Sequence, residues 1–251
     1  MPSTGSEDDS PAANRGRALL LLPDENLSHQ TAVSAALASV FRGKLCDLVR
    51  PVRKPTSYRK NQVIYEIGDS QRTFFFLQSG FVKIGTLSAE GTEVIYDVRK
   101  EGDVVGELCA VEPVRPDRAV ALEQTDAVTM SFDEVMRLVS PRPDLVAVLI
   151  EYFGRALKEA YAQVNSLALD DTIHRVARTL VGLAAKVGHT TGSMIEIPMY
   201  LTQDEIAQMV SARRERVSGA LNSFRRRGMV QYTSRGQLLL DVGALESFLT
   251  Q

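Results

Sequence analysis

Residues Leu201 to Gly228 read LTQDEIAQMVSARRERVSGALNSFRRRG, and this stretch decides the fold. Thr202 followed three residues later by Glu205 is a capping box, which predicts a helix beginning at Gln203. Ile206, Met209 and Val210 give that helix an apolar face. Ser211-Ala212-Arg213 is long enough only for a turn. A second helical pattern over 214–227 places Val217, Leu221 and Phe224 on one side, at i, i+4 and i+7. Its other side carries Arg214, Glu215, Ser218, Asn222 and Arg225. Long donors, one carboxylate and small polar groups are the chemistry that reaches base edges and phosphates in a major groove.

Any solvated amphipathic helix pair shows this alternation, so the neighbouring sequence decides between the two readings. Between Arg213 and Arg235 there are seven arginines and one acidic residue, in a chain whose net charge is −2. Arginine suits bidentate contacts to guanine and phosphate. Met229–Thr233 and Gln237–Leu240, separated by Ser234-Arg235-Gly236, then read as a β-hairpin. Helix, turn, helix and hairpin predict a winged helix that reads double-stranded DNA. Thr202, Arg213 and Arg235 complete the candidate contact set.

The charge distribution follows the same division. Residues 170–251 hold ten Lys and Arg against eight Asp and Glu, leaving nineteen basic against twenty-three acidic residues elsewhere. Apolar and charged fractions of 44% and 24% are ordinary for a globular chain, and the length allows one or two domains. Ala18–Leu22 is too short an apolar run, behind too polar a start, to be a secretory signal. No stretch reaches transmembrane length. Cys46 and Cys109 make no disulfide framework. A cytoplasmic protein without membrane partners is expected. Enzymatic chemistry is not: there is no Gly-rich phosphate loop before a Lys, no metal-spaced His/Cys set and no nucleophile–His pair.

Outward from the winged helix, the chain divides into segments. Residues 1–30 are expected as a disordered extension, the first 17 being polar and rich in Pro, Gly and Ser. A helix is expected over 31–48, with Val33, Leu37, Val40, Phe41, Leu45 and Leu48 on one side. From Pro51 to Phe132 short apolar runs alternate with turns at Gly68-Asp69, Ser79-Gly80, Glu90-Gly91 and Gly102-Asp103, predicting an all-β barrel or sandwich. A long helix follows over 143–168. Its Ile150, Phe153, Leu157, Ala160, Val164 and Leu167 step by 3, 4, 3, 4, 3, the heptad spacing that pairs two helices lengthwise. Asp170-Asp171 then caps a helix over Thr172–Lys186, with Ile173, Val176, Leu180 and Leu183 inward. Gly188–Gly192 reads as a loop, Met194–Met199 as a strand and Asp241–Leu249 as a closing helix. The expected fold is α+β: a jelly-roll-like β-roll over 31–140, a dimerisation helix over 141–169 and a winged helix-turn-helix domain over 170–251.

Residues 59–108, RKNQVIYEIGDSQRTFFFLQSGFVKIGTLSAEGTEVIYDVRKEGDVVGEL, resemble the cyclic-nucleotide-binding type of β-roll. With the long helix and the winged helix behind them, the chain from about residue 31 is similar to the CRP/FNR family of bacterial transcription regulators. The resemblance implies a homodimer that contacts RNA polymerase. It also implies two recognition helices in successive major grooves, about 34 Å apart on a pseudo-palindrome. On the matching positions Arg214 and Glu215 would read bases, Ser218 would join them or hold a phosphate, and Arg213 would contact the backbone. The family often has a second base-reading arginine just after Ser218, where this chain has Gly219, so the half-site sequence stays open.

The same resemblance sets what a cyclic-AMP pocket would need: a carboxylate for the ribose, an arginine with a small hydroxyl for the phosphate, and polar long-helix groups for the base. Glu107, in Gly106-Glu107-Leu108, supplies the carboxylate. Cys109-Ala110 departs from the family pattern. Arg115-Pro116-Asp117-Arg118-Ala119-Val120 replaces the Arg-Ser/Thr-Ala element, and Asp117 would repel a phosphate. The long-helix pair, counted back from Asp171, is Ala160-Tyr161. Control without cyclic AMP, and without any cofactor, is therefore expected. Glu107, Leu108, Cys109, Arg115, Arg118 and Tyr161 are candidates for another effector; Glu107, Arg115 and Arg118 could equally form an ion-pair network of little energetic weight. Two cysteines are too few for an iron–sulfur cluster. Haem would draw on His29, His174 or Cys109. Cys109 could be a redox thiol or a buried free thiol. The competing reading is a small-molecule or redox-thiol receptor whose winged helix docks a protein.

Overall fold

The computed structural model describes residues 46–47 and 53–250. The expected extension over 1–30, His29 and, apart from Cys46 and Asp47, the helix over 31–48 lie outside them. Eight strands build the first half: β1 (Thr56–Tyr58), β2 (Val63–Tyr65), β3 (Thr73–Ser79), β4 (Phe81–Leu87), β5 (Glu93–Lys100), β6 (Val104–Val105), β7 (Arg118–Ala121) and β8 (Thr125–Ser131). They form two antiparallel sheets, in the orders β1-β8-β3-β6 and β2-β7-β4-β5. β3 shows why the sheets stack. Alternate residues of a strand point to opposite faces, and here both faces are apolar. Phe75 and Leu77 meet Tyr65, Val82, Ile84 and Ala119 between the sheets. Phe74 and Phe76 pack with Val128, Met130 and Val135 on the outer side.

Two of the turn glycines are obligatory. Gly80 has φ +81°, and a Cβ there would lie 2.4 Å from the Thr125 hydroxyl and 2.5 Å from the Gln124 carbonyl. At Gly106, φ +85°, a Cβ would lie 2.8 Å from the Arg115 guanidinium and 2.9 Å from the Thr73 carbonyl. Both positions demand the left-handed region and the missing side chain together.

The outer side of the roll is covered by helix α1 (Phe132–Val139), which the sequence reading did not anticipate. Ser131 and Glu134 cap it reciprocally. The long helix α2 runs over Pro143–Leu169, starting on a proline whose missing N–H is an orphan in the first turn anyway. Only Leu145 and Val148 of α2 are buried. Asp171 caps α3 (Thr172–Val187) by accepting from the His174 amide.

The C-terminal unit continues with β9 (His189–Thr191), β10 (Met194–Glu196), α4 (Gln203–Met209), α5 (Arg214–Arg226), β11 (Val230–Tyr232), β12 (Leu238–Leu240) and α6 (Val242–Leu249). Its sheet order is β11-β12-β10-β9. The stretch expected as a loop over 188–192 is thus largely a strand paired with β10; its polar, exposed residues carry no apolar alternation to mark it. One hydrophobic core joins Val176, Leu180, Ile206, Val217, Phe224 and Leu240, and it extends to Ile95 and Val98 of β5. Helices α3 and α4 are therefore seated on the edge strand of the roll.

Candidate functional site

The reading face is assembled by local rules. Thr202 Oγ1 accepts from the Glu205 amide at 3.1 Å, and Glu205 Oε2 accepts from the Thr202 amide at 2.9 Å. Helix α4 starts where the capping box requires. Its end is turned by Ser211, which holds φ +49°, a left-handed conformation that costs a residue with a Cβ. Arg213 is extended and opens α5. Val217, Leu221 and Phe224 are fully buried, whereas Arg213, Arg214, Glu215, Asn222 and Arg225 are exposed and Ser218 is half-buried. Arg216 and Arg226, left out of the expected contact set, are exposed on the same helix.

Few of these arginines are tied down. Arg214 lies 3.8 Å from Asp204, with both side chains more than half exposed, so the pair is weak. The Arg225 guanidinium sits 5.5 Å over the ring of Tyr232 on β11, linking helix to wing. Arg235 is exposed at the hairpin turn, where Gly236 takes φ +79°. Thr202 is half-buried, and its hydroxyl is engaged in the cap.

On the long helix, Ile150, Leu157 and Val164 are 68%, 52% and 60% exposed. Phe153, Ala160 and Leu167 are exposed as well. The heptad stripe thus lies bare along a single chain. Among the described residues no helix is long and apolar enough to cross a membrane, and no group of three His, Cys, Asp or Glu side chains is arranged to hold a metal ion.

A cleft of about 1180 Å³ lies between β5, the turn at Glu107, α2, α3 and the turn joining α4 to α5. A chain of polar contacts crosses it. Lys186 of α3 lies 2.5 Å from Asp97 and 3.1 Å from Glu159 of α2. Asp97 is 2.8 Å from Arg99, which donates to Glu107 Oε1 at 3.0 Å and to the Tyr152 hydroxyl at 2.8 Å. Tyr152 donates in turn to the Val104 carbonyl at 2.8 Å. Burial pushes the Asp97 carboxyl up, but Arg99 and Lys186 outweigh it and hold Asp97 below the usual range. Burial pushes Glu107 up, and there Arg99 does not compensate.

The structure disperses the expected effector cluster. Glu107 and Leu108 line the cleft, as do Asp117 and Ala160. Arg115, 2% exposed, lies inside the roll with its guanidinium 4.0 Å over the Tyr65 ring. Its nitrogens donate to the Thr73 carbonyl at 2.6 Å, the Thr73 hydroxyl at 2.9 Å and the Gly106 carbonyl at 3.3 Å. Arg118 pairs with Glu66 at 3.1 Å. Glu107, Arg115 and Arg118 therefore each have a separate partner. Tyr161 is 62% exposed.

Neither cysteine is in a disulfide, and both are buried in the same apolar cluster. Burial pushes the Cys109 thiol up despite Arg115 and Arg72 nearby, which disfavours the reactive thiolate. His174 is engaged by Asp171 at 2.8 Å and stacks on Phe248 at 4.9 Å. Sequence reasoning missed Asp97 and Arg99, because alternating charges on a strand ordinarily mark its solvent face; it missed Tyr152 of α2 and Lys186 of α3 because only the folded placement of those helices brings them to Arg99 and Asp97.

Comparison with known proteins follows this division. Residues 55–141 match the cyclic nucleotide-binding domain family, and residues 174–248 match the Crp-like helix-turn-helix domain. A CRP-like cAMP-activated global transcriptional regulator of Mycobacterium tuberculosis is 29% identical over 210 residues, covering 82% of this chain and 94% of that one. An anaerobic regulatory protein of Bacillus subtilis is 22% identical over 205 residues, covering 81% and 86%. Among solved structures, a CRP/FNR family transcriptional regulator from Thermus thermophilus has a TM-score of 0.65 at 21% identity, covering 79% of this chain and 99% of that one. FixK2 from Bradyrhizobium japonicum has a TM-score of 0.67 at 20% identity, covering 77% and 95%. With β-roll and helix-turn-helix matched in one order along the sequence, the chain belongs to the CRP/FNR family of DNA-binding transcription regulators.

Proposed function

We propose that the protein acts as a homodimer that reads a pseudo-palindromic site on double-stranded DNA and needs no cyclic AMP to do so. The observation that carries this reading is the pairing of two exposed features on one chain: the apolar stripe of α2 and the arginine-bearing face of α5. A solvent-facing row from Ile150 to Leu167 is the stripe a second α2 would cover. Two-fold symmetry would then present two copies of α5, with Arg214 and Glu215 at base edges and Arg213, Ser218, Asn222, Arg225, Thr202 and Arg235 around them. On this reading residues 31–140 sense, 141–169 dimerise and 170–251 bind DNA; the chain works in the cytoplasm, contacts RNA polymerase and catalyses nothing.

The mycobacterial relative is described as cAMP-activated, and the interior of this roll differs from what that ligand needs. Arg115 is already bound by carbonyls of its own chain, and Asp117 brings a carboxylate to the same interior. An incoming phosphate would gain no free guanidinium there and would face a like charge. Selection of genomic fragments by the purified protein, with no small molecule added, tests the whole reading. Enrichment of one palindrome is expected. Recovery only when cyclic AMP is added would overturn the cAMP-free part, and no enrichment at low salt would overturn the DNA reader. A steep fall of affinity with salt marks phosphate contacts and separates DNA binding from protein docking.

A further inference from the structure

Gly219 sits in the interior of α5, and nothing within the protein requires a glycine there. Its φ lies outside the left-handed region, the residue is exposed, and a Cβ built on it would meet no atom within 4 Å. Gly80 and Gly106 stand in contrast, each held to glycine by backbone and neighbours together. A glycine in a helix interior is less stable than an alanine, so the fold loses stability at 219 without relieving any crowding of its own.

The helix places this glycine on its outermost line. Glu215, Gly219, Asn222 and Arg226 follow at steps of 4, 3 and 4, which aligns them along one face. Val217, Ala220, Leu221 and Phe224 are buried on the opposite face. The last residue of the row is also unusual among its neighbours. Arg225 lies 5.5 Å over the ring of Tyr232 on the wing, and Arg227 lies 5.0 Å over Phe248 of α6. Between them the Arg226 side chain is exposed and, among the described residues, has no ion pair, hydrogen bond or ring contact.

We propose that the row from Glu215 to Arg226 is the line along which α5 meets duplex DNA, with the bare backbone at Gly219 as the point of closest approach and Arg226 on a phosphate. A missing side chain lets the helix lie nearer to the groove floor than any other residue would. From Gly219 to Arg226 the helix rises by about 10 Å, close to the roughly 12 Å width of a major groove. A long side chain at 226 therefore reaches the strand bordering the groove while Gly219 stays over the bases. The forked, permanently charged guanidinium suits that phosphate. Seven arginines and one acidic residue between Arg213 and Arg235 complement a polyanion. This inference rests on the proposal that α5 reads DNA.

The test uses the full chain and two duplexes of equal length: the site enriched from genomic fragments and a shuffled sequence of the same composition. Fluorescence anisotropy at fixed salt and over a salt series gives affinity and salt slope. Gly219→Ala should raise the melting temperature, because alanine favours helix. Gly219→Leu should weaken the enriched site by roughly tenfold or more, as the inserted side chain holds the helix off the groove. Gly182→Ala, at a helix glycine of α3 that also has open space around its Cβ position, should raise the melting temperature and leave DNA affinity unchanged. Arg226→Gln should weaken both duplexes by a similar factor and lower the salt slope by about one; Arg226→Lys keeps the charge and should restore the slope. Wild-type affinity of Gly219→Leu for the enriched site, or an unchanged slope in Arg226→Gln, would overturn the proposal, and the second measurement stands even if Gly219→Leu does not fold. A wild type that enriches no site and binds neither duplex sinks the DNA reader and this row with it. A wild type that binds while both variants match it loses only the row.

Discussion

The Lys186 ammonium lies 2.5 Å from Asp97 and so fastens α3, the first helix of the DNA-binding unit, to β5, the edge strand of the roll. The same ammonium reaches Glu159 of α2 at 3.1 Å. Three elements from three parts of the chain converge on one nitrogen. Around it, Ile95 and Val98 of β5 belong to the hydrophobic core of the helix-turn-helix, and Lys83 of β4 adds a 3.6 Å contact to Glu205 of α4. The winged helix is held on the roll by apolar packing, with a few charges fixing its register.

Lys186→Met removes the charge and keeps much of the stem. Asp97 would retain Arg99 but lose a partner in a largely buried setting, so a loss of about 1–3 kcal/mol is expected. Urea unfolding measures it. Domain attachment adds a second readout: faster protease cleavage near the α2–α3 junction in the variant is expected, and an unchanged pattern would mean that apolar packing alone holds the joint.

Acid should act on these carboxyls in opposite directions. Asp97 has a folded pKa below its ordinary 3.8. Its contribution is therefore fully present above that value and is lost as pH falls through the lower folded one. Asp117 and Glu107 are raised, mainly by burial. The folded state takes up their protons first, so each adds stability as pH falls from its raised value towards the unfolded one. Denaturation midpoints followed from neutral pH downward should show Asp117→Asn gaining less on mild acidification than the wild type. Parallel curves would mean that Asp117 is not raised.

Several elements of the fold were legible because they rest on local signals. Thr202 and Glu205 announce α4, Gly236 marks the wing turn, and the heptad spacing from Ile150 marks α2 before any partner is known. Ser131 and Glu134 form the same capping pattern, yet α1 escaped notice because the apolar run Ala127–Phe132 continues the strand grammar across the boundary. The polar crossing of the cleft was not legible at all. Arg99 looks like a solvent-facing strand residue until α2 and α3 close over β5, and only that packing turns its charge into a partner for Asp97, Glu107 and Tyr152.

Base recognition can be tested one side chain at a time. Arg214 and Glu215 are exposed at the first turn of α5, the end that enters a groove first. Arg214→Ala and Glu215→Ala should each weaken specific binding by about 1–3 kcal/mol, with little effect on nonspecific duplex for Glu215. Gel shifts at fixed salt decide this, and unchanged affinity and sequence preference in both variants would remove the assignment.

The helix-turn-helix carries a small reserve of strain at Ser211. A non-glycine residue at φ +49° lies where only glycine is free of steric cost, so Ser211→Gly should stabilise the unit by up to about 1 kcal/mol, less the added freedom of the unfolded chain. Thermal melting reads the change. A lower melting temperature would show that the Ser211 side chain does something in the turn beyond occupying it.

The seam of α2 provides the last and widest test. Leu157 lies at its centre and is half exposed in the single chain. Leu157→Glu should therefore cost a monomer almost nothing, since surface substitutions away from special features change stability by about 0.5 kcal/mol or less. In a dimer the same change would bury two like charges across the two-fold axis, where unpaired carboxylates are strongly unfavourable. Sedimentation velocity should find the wild type at dimer mass and the variant at monomer mass, with thermal unfolding of the roll preserved. DNA binding should then fall steeply, because a lone α5 holds one half-site and forfeits the second. If Leu157→Glu leaves a dimer, the stripe from Ile150 to Leu167 has another purpose and the two-fold reading of the operator falls with it.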